Sequence, residues 1–408
     1  MGEQGLGANF FRLWTASTTS ALGSGVATVA APLFVATRTT DPLVVSGAFA
    51  VSWLPWLLFA LPGGVLVDRV DRRKLMIVLD GFRVLAVGVL ATAMALNLAN
   101  VAFLYVVLFL INSGEVVFRS ASQAMIPAVV VDGRLEKANG WLFGGTQLMQ
   151  GMVAGPLGAF LFVIAAGLPF FLNAATYALS ALMLALIAGT YRAQKTKART
   201  FHGDIADGFR WLMRQRLLRT MAILIGLLNL TLTAATAMLV LLARQRLGLD
   251  AVGYGLLFTA VAAGGVLGSV LGDPLIRWLT PTWTLRIGLL VETATHLVLA
   301  AVPNAYAVGV ILFAFGVHGS LWGIVASSLR QRLTPPEMLG RVGSTGLFIA
   351  AGGNCVGAMM GGVLASAFGI TAPYWLGFFV AVAVTATTWR VFHPSVVSPA
   401  PATAPVSG

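Results

Sequence analysis

The chain has 408 residues, 58% of them hydrophobic and 10% charged, with a formal net charge of +12. So small a charged fraction, against roughly one quarter in soluble domains, excludes an ordinary water-soluble globule. Apolar runs of about twenty residues, each long enough as a helix to cross a hydrocarbon core roughly 30 Å thick, identify an all-α polytopic membrane protein. The basic residues lie in short clusters between those runs and form no single soluble face, so membrane topology explains them and nucleic acid is not the expected partner. Cys355 is the only cysteine, which excludes an intrachain disulfide and a cysteine-based metal site.

Splitting the apolar runs at charged or Pro/Gly/Asn connectors predicts about twelve spans: 13–36, 43–66, 75–97, 101–125, 140–164, 168–189, 219–242, 251–272, 283–302, 305–328, 342–367 and 371–392. The first exceeds the length of a signal-peptide core and has only Arg12 before it, so it is expected to be a retained helix. Between spans two and three stands DRVDRRK, with six charged residues in the seven positions from Asp68 to Lys74. Placing this loop in the cytoplasm also places Arg134, Lys137, the central basic segment, Arg330, Arg332 and Arg341 there, and leaves Arg38, Arg244 and Arg246 outside. The excess of Lys and Arg on one side then predicts cytoplasmic termini and a multi-pass protein of the cytoplasmic membrane.

Spans three and four each carry a charged pair, Asp80 with Arg83 and Glu115 with Arg119, at spacings that put both groups on one helix face. An ionisable group in a span costs at least a few kcal/mol near the bilayer centre, so each needs a partner or a task. Asp80, Arg83 and Arg119 are expected toward the cytoplasmic end as a charge network. Glu115 falls deeper and has two readings: a carboxyl group balanced for proton exchange, or a permanently paired structural glutamate. Glu292 and His296 in span nine are four apart and expected to pair with each other. His318, near the middle of span ten, fits either proton exchange or hydrogen-bonded packing.

The segment from Arg192 to Arg219 carries eight Lys or Arg and divides the chain at its midpoint. The predicted organisation is a six-helix bundle at 1–190, a basic cytoplasmic linker at 191–218, a second bundle at 219–393 and a disordered Pro/Ala/Ser-rich tail at 394–408. Within the linker, Ile205, Phe209, Leu212 and Met213 have helical spacing, which fits either a surface amphipathic helix or a solvated connector. The halves echo each other. SASQAMIPAVVVDGRLEKANG after span four corresponds to SSLRQRLTPPEMLGRVG after span ten, and GMVAGPLGAFL in span five to GNCVGAMMGGVL in span eleven. Parallel repeats of half the chain account for that order.

These residues resemble the major facilitator superfamily. Its loop signature, G-x-x-x-D-R/K-x-G-R-R/K, is matched by Gly64, Asp68, Arg69, Arg72 and Arg73, with Asp71 standing where the family has Gly. LPWLLFALPGGVLVDRVDRRKL, SASQAMIPAVV with LEKANGW, and DGFRWLMRQRLLRTMA are similar to the branch containing enterobactin exporters and macrolide efflux proteins. Span five carries Gly151, Gly155, Pro156 and Gly158, similar to the motif of drug/proton antiporters, though Leu142 replaces a Gly and the spacing after Pro156 is one residue short.

The resemblance implies two pseudo-symmetric six-helix bundles in the major facilitator fold. It further implies that Gly64, Asp68, Arg69, Arg72 and Arg73 form a cytoplasmic latch between the halves in the outward-facing state, and that Asp80, Arg83 and Arg119 support it. Spans one, four, seven and ten would line the cavity, with Ser17, Thr18, Thr19, Ser20, Asn229, Thr231, Thr233 and Thr236 as polar wall and Trp53, Trp56 and Trp322 as stacking candidates. Proton coupling would fall to Glu115 and His318. Spans five, eight and eleven would meet at the seam between halves, where Gly151, Gly155, Pro156 and Gly158, and the stripes Gly264, Gly268, Gly272 and Gly353, Gly357, Gly361, allow close backbone approach. No nucleotide-binding loop, metalloprotease motif or nucleophile elbow is present. The expectation is therefore a non-enzymatic, monomeric secondary transporter, without cofactor or metal, that exports a drug, macrolide or siderophore against protons. Uptake or lipid translocation by the same fold, and a non-transporting membrane sensor, are the alternatives. Its partners would be the small-molecule substrate, protons and membrane lipids.

Overall fold

A computed structural model describes residues 6–130, 134–192, 209–335, 338–389 and 392. The helices are α1 (Ala8–Arg38), α2 (Pro42–Arg69), α3 (Arg72–Ala95), α4 (Val101–Val129), α5, which runs through Leu135–Gln147, a π-helical segment Leu148–Val153 and Ala154–Ile164, and α6 (Leu168–Ala185). The second half has α7 (Arg216–Gln245), α8 (Ala251–Val270), α9 (Gly272–Ala301), α10 (Ala305–Leu333), α11 (Leu339–Phe368) and α12 (Ala372–Thr388). Among the described residues, 11 helices are long and apolar enough to cross a membrane, and α12 is a shorter apolar helix. All expected spans are therefore present as helices, and the fold is an all-α membrane fold.

Helix ends follow local chemistry. Asp41 caps α2 and Asp250 caps α8, while Asn100 caps α4 and Asn304 caps α10. Each side chain accepts a backbone N–H left unpaired at the helix start. The same cap type recurs at the corresponding helix of each half, a repeat signal missed among the longer sequence matches. In α9 the backbone breaks at Thr280 (φ 65), directly before Pro281, where the proline ring disfavours a helical predecessor.

In α5 the π-helical segment lies just before Pro156. Proline has no N–H for the carbonyl four residues back, Met152, so the hydrogen-bond ladder slips into a wider turn. Pro156 thus shapes the helix that carries Gly151 and Gly155.

Helices α2 and α11 pack along one side of the seam between the halves, and α5 and α8 along the other. A Cβ on Gly155 would come within 3.1 Å of the Gly255 carbonyl, and one on Gly151 within 3.3 Å of Ala262 Cβ. Gly158 instead faces α1, where a Cβ would lie 3.0 Å from the Val26 carbonyl. The longer stripes depart from expectation. Gly264 and Gly268 abut Phe313 and Val317 of α10, and Gly353, Gly357 and Gly361 abut Gly226, Leu230 and Ala234 of α7. They close helix pairs inside the second half because the small residues face those neighbours, and the seam contacts fall to Gly255 and to Gly362, which meets Ser46.

The two ends differ. At the end away from DRVDRRK, here the far rim, one apolar core joins Val29, Phe34 and Phe49 of the first half with Met238, Leu242, Tyr254 and Ala358 of the second. Arg244 Nη1 donates across the seam to the Ala36 carbonyl at 2.6 Å. At the basic rim the apolar residues form separate clusters: Phe10, Met76, Phe118, Met125 and Leu184 in one half, and Met221, Leu289, Leu329, Leu212 and Val342 in two clusters of the other. The described residues are thus closed across the far rim and divided at the basic rim.

Of the central segment, residues 209–214 form a short helix whose Leu212 is buried against Leu218, Ala222 and Val342. Ile205 and the tail at 394–408 lie outside the described residues.

Candidate functional site

A cavity of about 470 Å³ lies between the halves, with Trp53, Trp56, Glu115, Arg119, Gln150 and Tyr177 on one wall and Asn229, Thr233, Thr236, Phe258 and Asn354 on the other. Thr233 Oγ1 donates to Asn354 Oδ1 at 2.8 Å. Asn229 and Thr233 line this cavity, whereas Thr18 and Thr19 do not. Their hydroxyls donate to the Trp14 and Thr15 carbonyls of their own helix at 2.8 Å, and Thr18 packs on Gly145 of α5. Polar residues in a span can satisfy the helix backbone as readily as a substrate.

The first-half wall carries a continuous ionic chain. Arg83 Nη2 lies 2.8 Å from Glu115 Oε2, and Arg83 Nη1 3.3 Å from Asp80 Oδ1. Arg119 Nε holds the other Glu115 oxygen at 3.3 Å. Arg83 also donates to Ser20 Oγ at 2.8 Å, and its guanidinium lies 3.9 Å from the Tyr177 ring centre. Ser24 Oγ donates to Glu115 Oε2 at 3.2 Å. Two acids and two bases sum to zero, and the flat guanidinium face on an aromatic ring replaces lost hydration. Glu115, paired from sequence with Arg119 but not with Arg83, is the link between the two arginines. Helix spacing showed the pairs within α3 and within α4, but only the packing of those helices brings Arg83 to Glu115.

Asp80 and Arg83 are fully buried, while the Arg119 side chain is 42% exposed, so Arg119 is the member that faces the cavity. Its guanidinium lies 5.6 Å from the Trp56 ring centre, and Nη2 donates to Gln150 Oε1 at 3.0 Å. Gln150 belongs to the π-helical segment of α5. The ionic chain is thereby tied to the helix that forms the seam with α8.

A second cavity of about 630 Å³ is lined by second-half residues, among them Leu212, Asn229, Glu292, Phe315, His318, Trp322 and Arg330. Glu292 Oε2 lies 3.7 Å from His318 Nε2, and Glu292 Oε1 3.8 Å from His296 Nδ1. The expected Glu292–His296 pair is present, and His318 joins it from α10. Leu285, Leu289, Glu292 and His296 form the buried stripe of α9, and this stripe turns Glu292 toward α10 and His318. Among the described residues, no group of three His, Cys, Asp or Glu could hold a metal ion.

The signature loop is arranged around helix ends. Arg73 Nε and Nη2 donate to the Leu184 and Ala185 carbonyls at 2.9 and 2.6 Å, the negative end of α6. Arg72 Nη1 donates to the Ala124 carbonyl of α4 at 2.9 Å. Arg69 is exposed, a Cβ on Gly64 would meet nothing within 4 Å, and the Asp68 side chain lies outside the described residues. Asp71 caps α3 by accepting from Lys74 N at 3.0 Å, and also accepts from Tyr191 N at 3.0 Å. Burial alone would raise its carboxyl pKa, but the Lys74 and Tyr191 N–H groups, with Lys74 and Arg192 charges nearby, bring it below the ordinary value. The departure from the family's Gly thus supplies a cap and a tie to the chain after α6.

Residues 6–400 match the major facilitator family described as transmembrane secretion effector. The chain belongs to that family. It is 25% identical over 377 residues to multidrug efflux pump Tap of Mycolicibacterium fortuitum, covering 88% of this chain and 90% of that one. It is 30% identical over 133 residues to macrolide efflux protein A of Streptococcus pyogenes, a match spanning 32% of this chain and 33% of that relative. Among solved structures, the nucleoside transporter NupG aligns with a TM-score of 0.69 at 12% identity, over 94% of this chain and 98% of that one. A bacterial homologue of the human lysosomal transporter Spinster aligns with a TM-score of 0.67 at 16% identity, over 95% of each. At these identities the structural likeness establishes the fold. The protein is a multi-pass membrane protein of the major facilitator type, and its family and fold are those of transporters; the match spans about a third of the length of the macrolide efflux relative.

Proposed function

We propose that the protein exports hydrophobic or amphipathic small molecules, drug, macrolide or siderophore in kind, by proton antiport with alternating access. The observation that carries this reading is the cavity between the halves, with a far rim closed across the seam and a basic rim divided between them. A positive-inside orientation makes the basic rim cytoplasmic, so this arrangement admits substrate from inside. The efflux pumps similar to this chain support export as the direction.

Proton coupling is assigned to Glu115 and His318, one titratable group on a cavity wall in each half. Protonating Glu115 cancels the charge that holds Arg119, and the freed guanidinium pulls on Gln150 in the π-helical turn of α5. Gly151 and Gly155 lie along the same helix against α8, so a change at the carboxyl group reaches the seam through one contiguous element. The latch of Asp68, Arg69, Arg72 and Arg73 belongs to the opposite conformation, in which the divided basic rim closes.

Inverted vesicles test the reading. With the vesicle lumen acidic, so that protons run outward, wild-type protein should accumulate a lipophilic drug or macrolide, and Glu115→Gln should lose the pH dependence of flux while still binding it. Gradient-driven depletion would establish uptake instead, and no flux under any gradient would establish a sensor.

A further inference from the structure

We propose that the second cavity binds a monovalent organic cation with an apolar body, with Glu292 as its counter-ion and protonated His318 as the competitor for that carboxylate. The proposal rests on the transport reading for its place in a cycle, but its binding chemistry stands on the geometry of the second half alone.

Glu292 is 3% exposed, lines the cavity, and its Oε1 finds no hydrogen-bond donor among the described residues. A buried carboxylate in that condition is costly unless a cation or a proton meets it. Its neighbours have distinct roles. His296 Nδ1 lies 3.0 Å from the Glu292 backbone carbonyl, which can only accept, so Nδ1 carries the hydrogen. Nε2 of the same ring is buried without a partner beside Gly377 of α12. The Nδ1 hydrogen of His296 is thereby committed to the helix backbone. His318 stands on the cavity wall, its Nε2 3.7 Å from the carboxylate and its ring edge-on to Phe315 and Trp322 at 5.9 and 5.8 Å.

The other charges are placed elsewhere. Arg330 lines the same cavity but is exposed, twelve residues or about 18 Å along α10 from His318. Arg286, on α9, donates to the Trp389 carbonyl at 2.8 Å and lies over the Trp283 and Trp389 rings. From α7 and α11 the described lining includes Asn229, Gly346 and Ala350, none of them charged. Among the described residues Glu292 therefore faces no guanidinium, in contrast to Glu115, whose two oxygens are each held by one.

Size and walls fit the same ligand. About 630 Å³ lies within the range for small-molecule sites, and Phe315 and Trp322 offer aromatic faces that attract a cation. Asn229 and Leu232 line both cavities, so a ligand bound in the second half borders the space between the halves. A cation and an imidazolium cannot both neutralise one carboxylate, so the two exclude each other.

The test is equilibrium binding to the full chain in lipid nanodiscs between pH 5.5 and pH 8. Tetraphenylphosphonium is the probe, because its charge is permanent and any pH response belongs to the protein. Triphenylphosphine oxide is the neutral control. Wild-type affinity for the cation should fall at least about tenfold on acidification. Glu292→Gln should bind the cation at least about tenfold more weakly at pH 8, without a pH response. Retained binding of the neutral probe would show that the cavity remains folded. His318→Gln should keep the pH 8 affinity and lose the pH response. Unchanged cation affinity in Glu292→Gln, or a full pH response in His318→Gln, would overturn the proposal. Because flux is not measured, absence of transport in vesicles would refute the export reading without touching this site.

Discussion

At the far rim, side chains from α1, α2, α7, α8 and α11 merge into one apolar core, and Arg244 of one half bonds Ala36 of the other. At the basic rim, Arg72 and Arg73 bond carbonyls of their own half, and the apolar residues cluster half by half. The difference teaches how the chain divides its forces. Polar contacts with helix ends hold each half together, whereas the seam is held by close glycine contacts, apolar area and the exposed Arg244, and can separate without stranding a buried charge.

The largest expected effect comes from the rim that is divided. Asp68→Asn should insert normally and abolish transport, measured as flux in vesicles, because the closed form of the basic rim would lose its ionic contact. Undiminished flux would remove the latch. Next is Arg83→Met, which leaves Asp80 and Glu115 buried without their shared partner and should lower stability by about 3–5 kcal/mol, read by denaturant or thermal unfolding. A change below about 1 kcal/mol would show that the ionic chain does not hold the first half.

Arg244→Ala sharpens the comparison from the other end. Losing a charged hydrogen bond to the Ala36 carbonyl should weaken far-rim closure by about 1.5–3 kcal/mol, seen as greater reactivity of a cysteine placed at the far end of the cavity. Smallest is Asp71→Ala, which removes a cap and should cost about 0.5–2 kcal/mol. The sign with pH follows from the lowered Asp71 carboxyl. Its contribution is present above the unfolded-state value and is lost as the pH falls through the lower folded value. The wild-type advantage over Asp71→Ala should therefore shrink only in strong acid; persistence of the full difference there would contradict the assignment.

The spans and their basic loops were legible because both are local: a helix long enough to cross lipid is a continuous run, and topology is written in the connectors. The pairs Asp80–Arg83 and Glu115–Arg119 were legible for the same reason, as neighbours on one helix. What lay beyond reading were contacts made by helix rotation and packing. Glu115 with Arg83, and Glu292 with His318, lie on different helices, and periodicity does not say which neighbour a face meets. The same limit separates Thr233, which faces the cavity, from Thr18, which faces its own helix carbonyl, and it hid that Gly264 and Gly357 close pairs within a half. A local signal did exist for Asp71, an Asp immediately before a helix, and for the paired caps Asp41 with Asp250 and Asn100 with Asn304.

The most direct measurement of alternating access uses two pairs of spin labels in a Cys355→Ser background, in nanodiscs, over a range of pH and organic cation. One pair spans the basic rim at Lys137 and Arg332, and the other the far rim at Arg38 and Tyr306, all exposed positions on opposite halves. The distances should change in opposite senses, the basic-rim pair shortening as the far-rim pair lengthens. Two distances that stay fixed, or that lengthen together, would contradict a pair of rigid halves rocking about the seam.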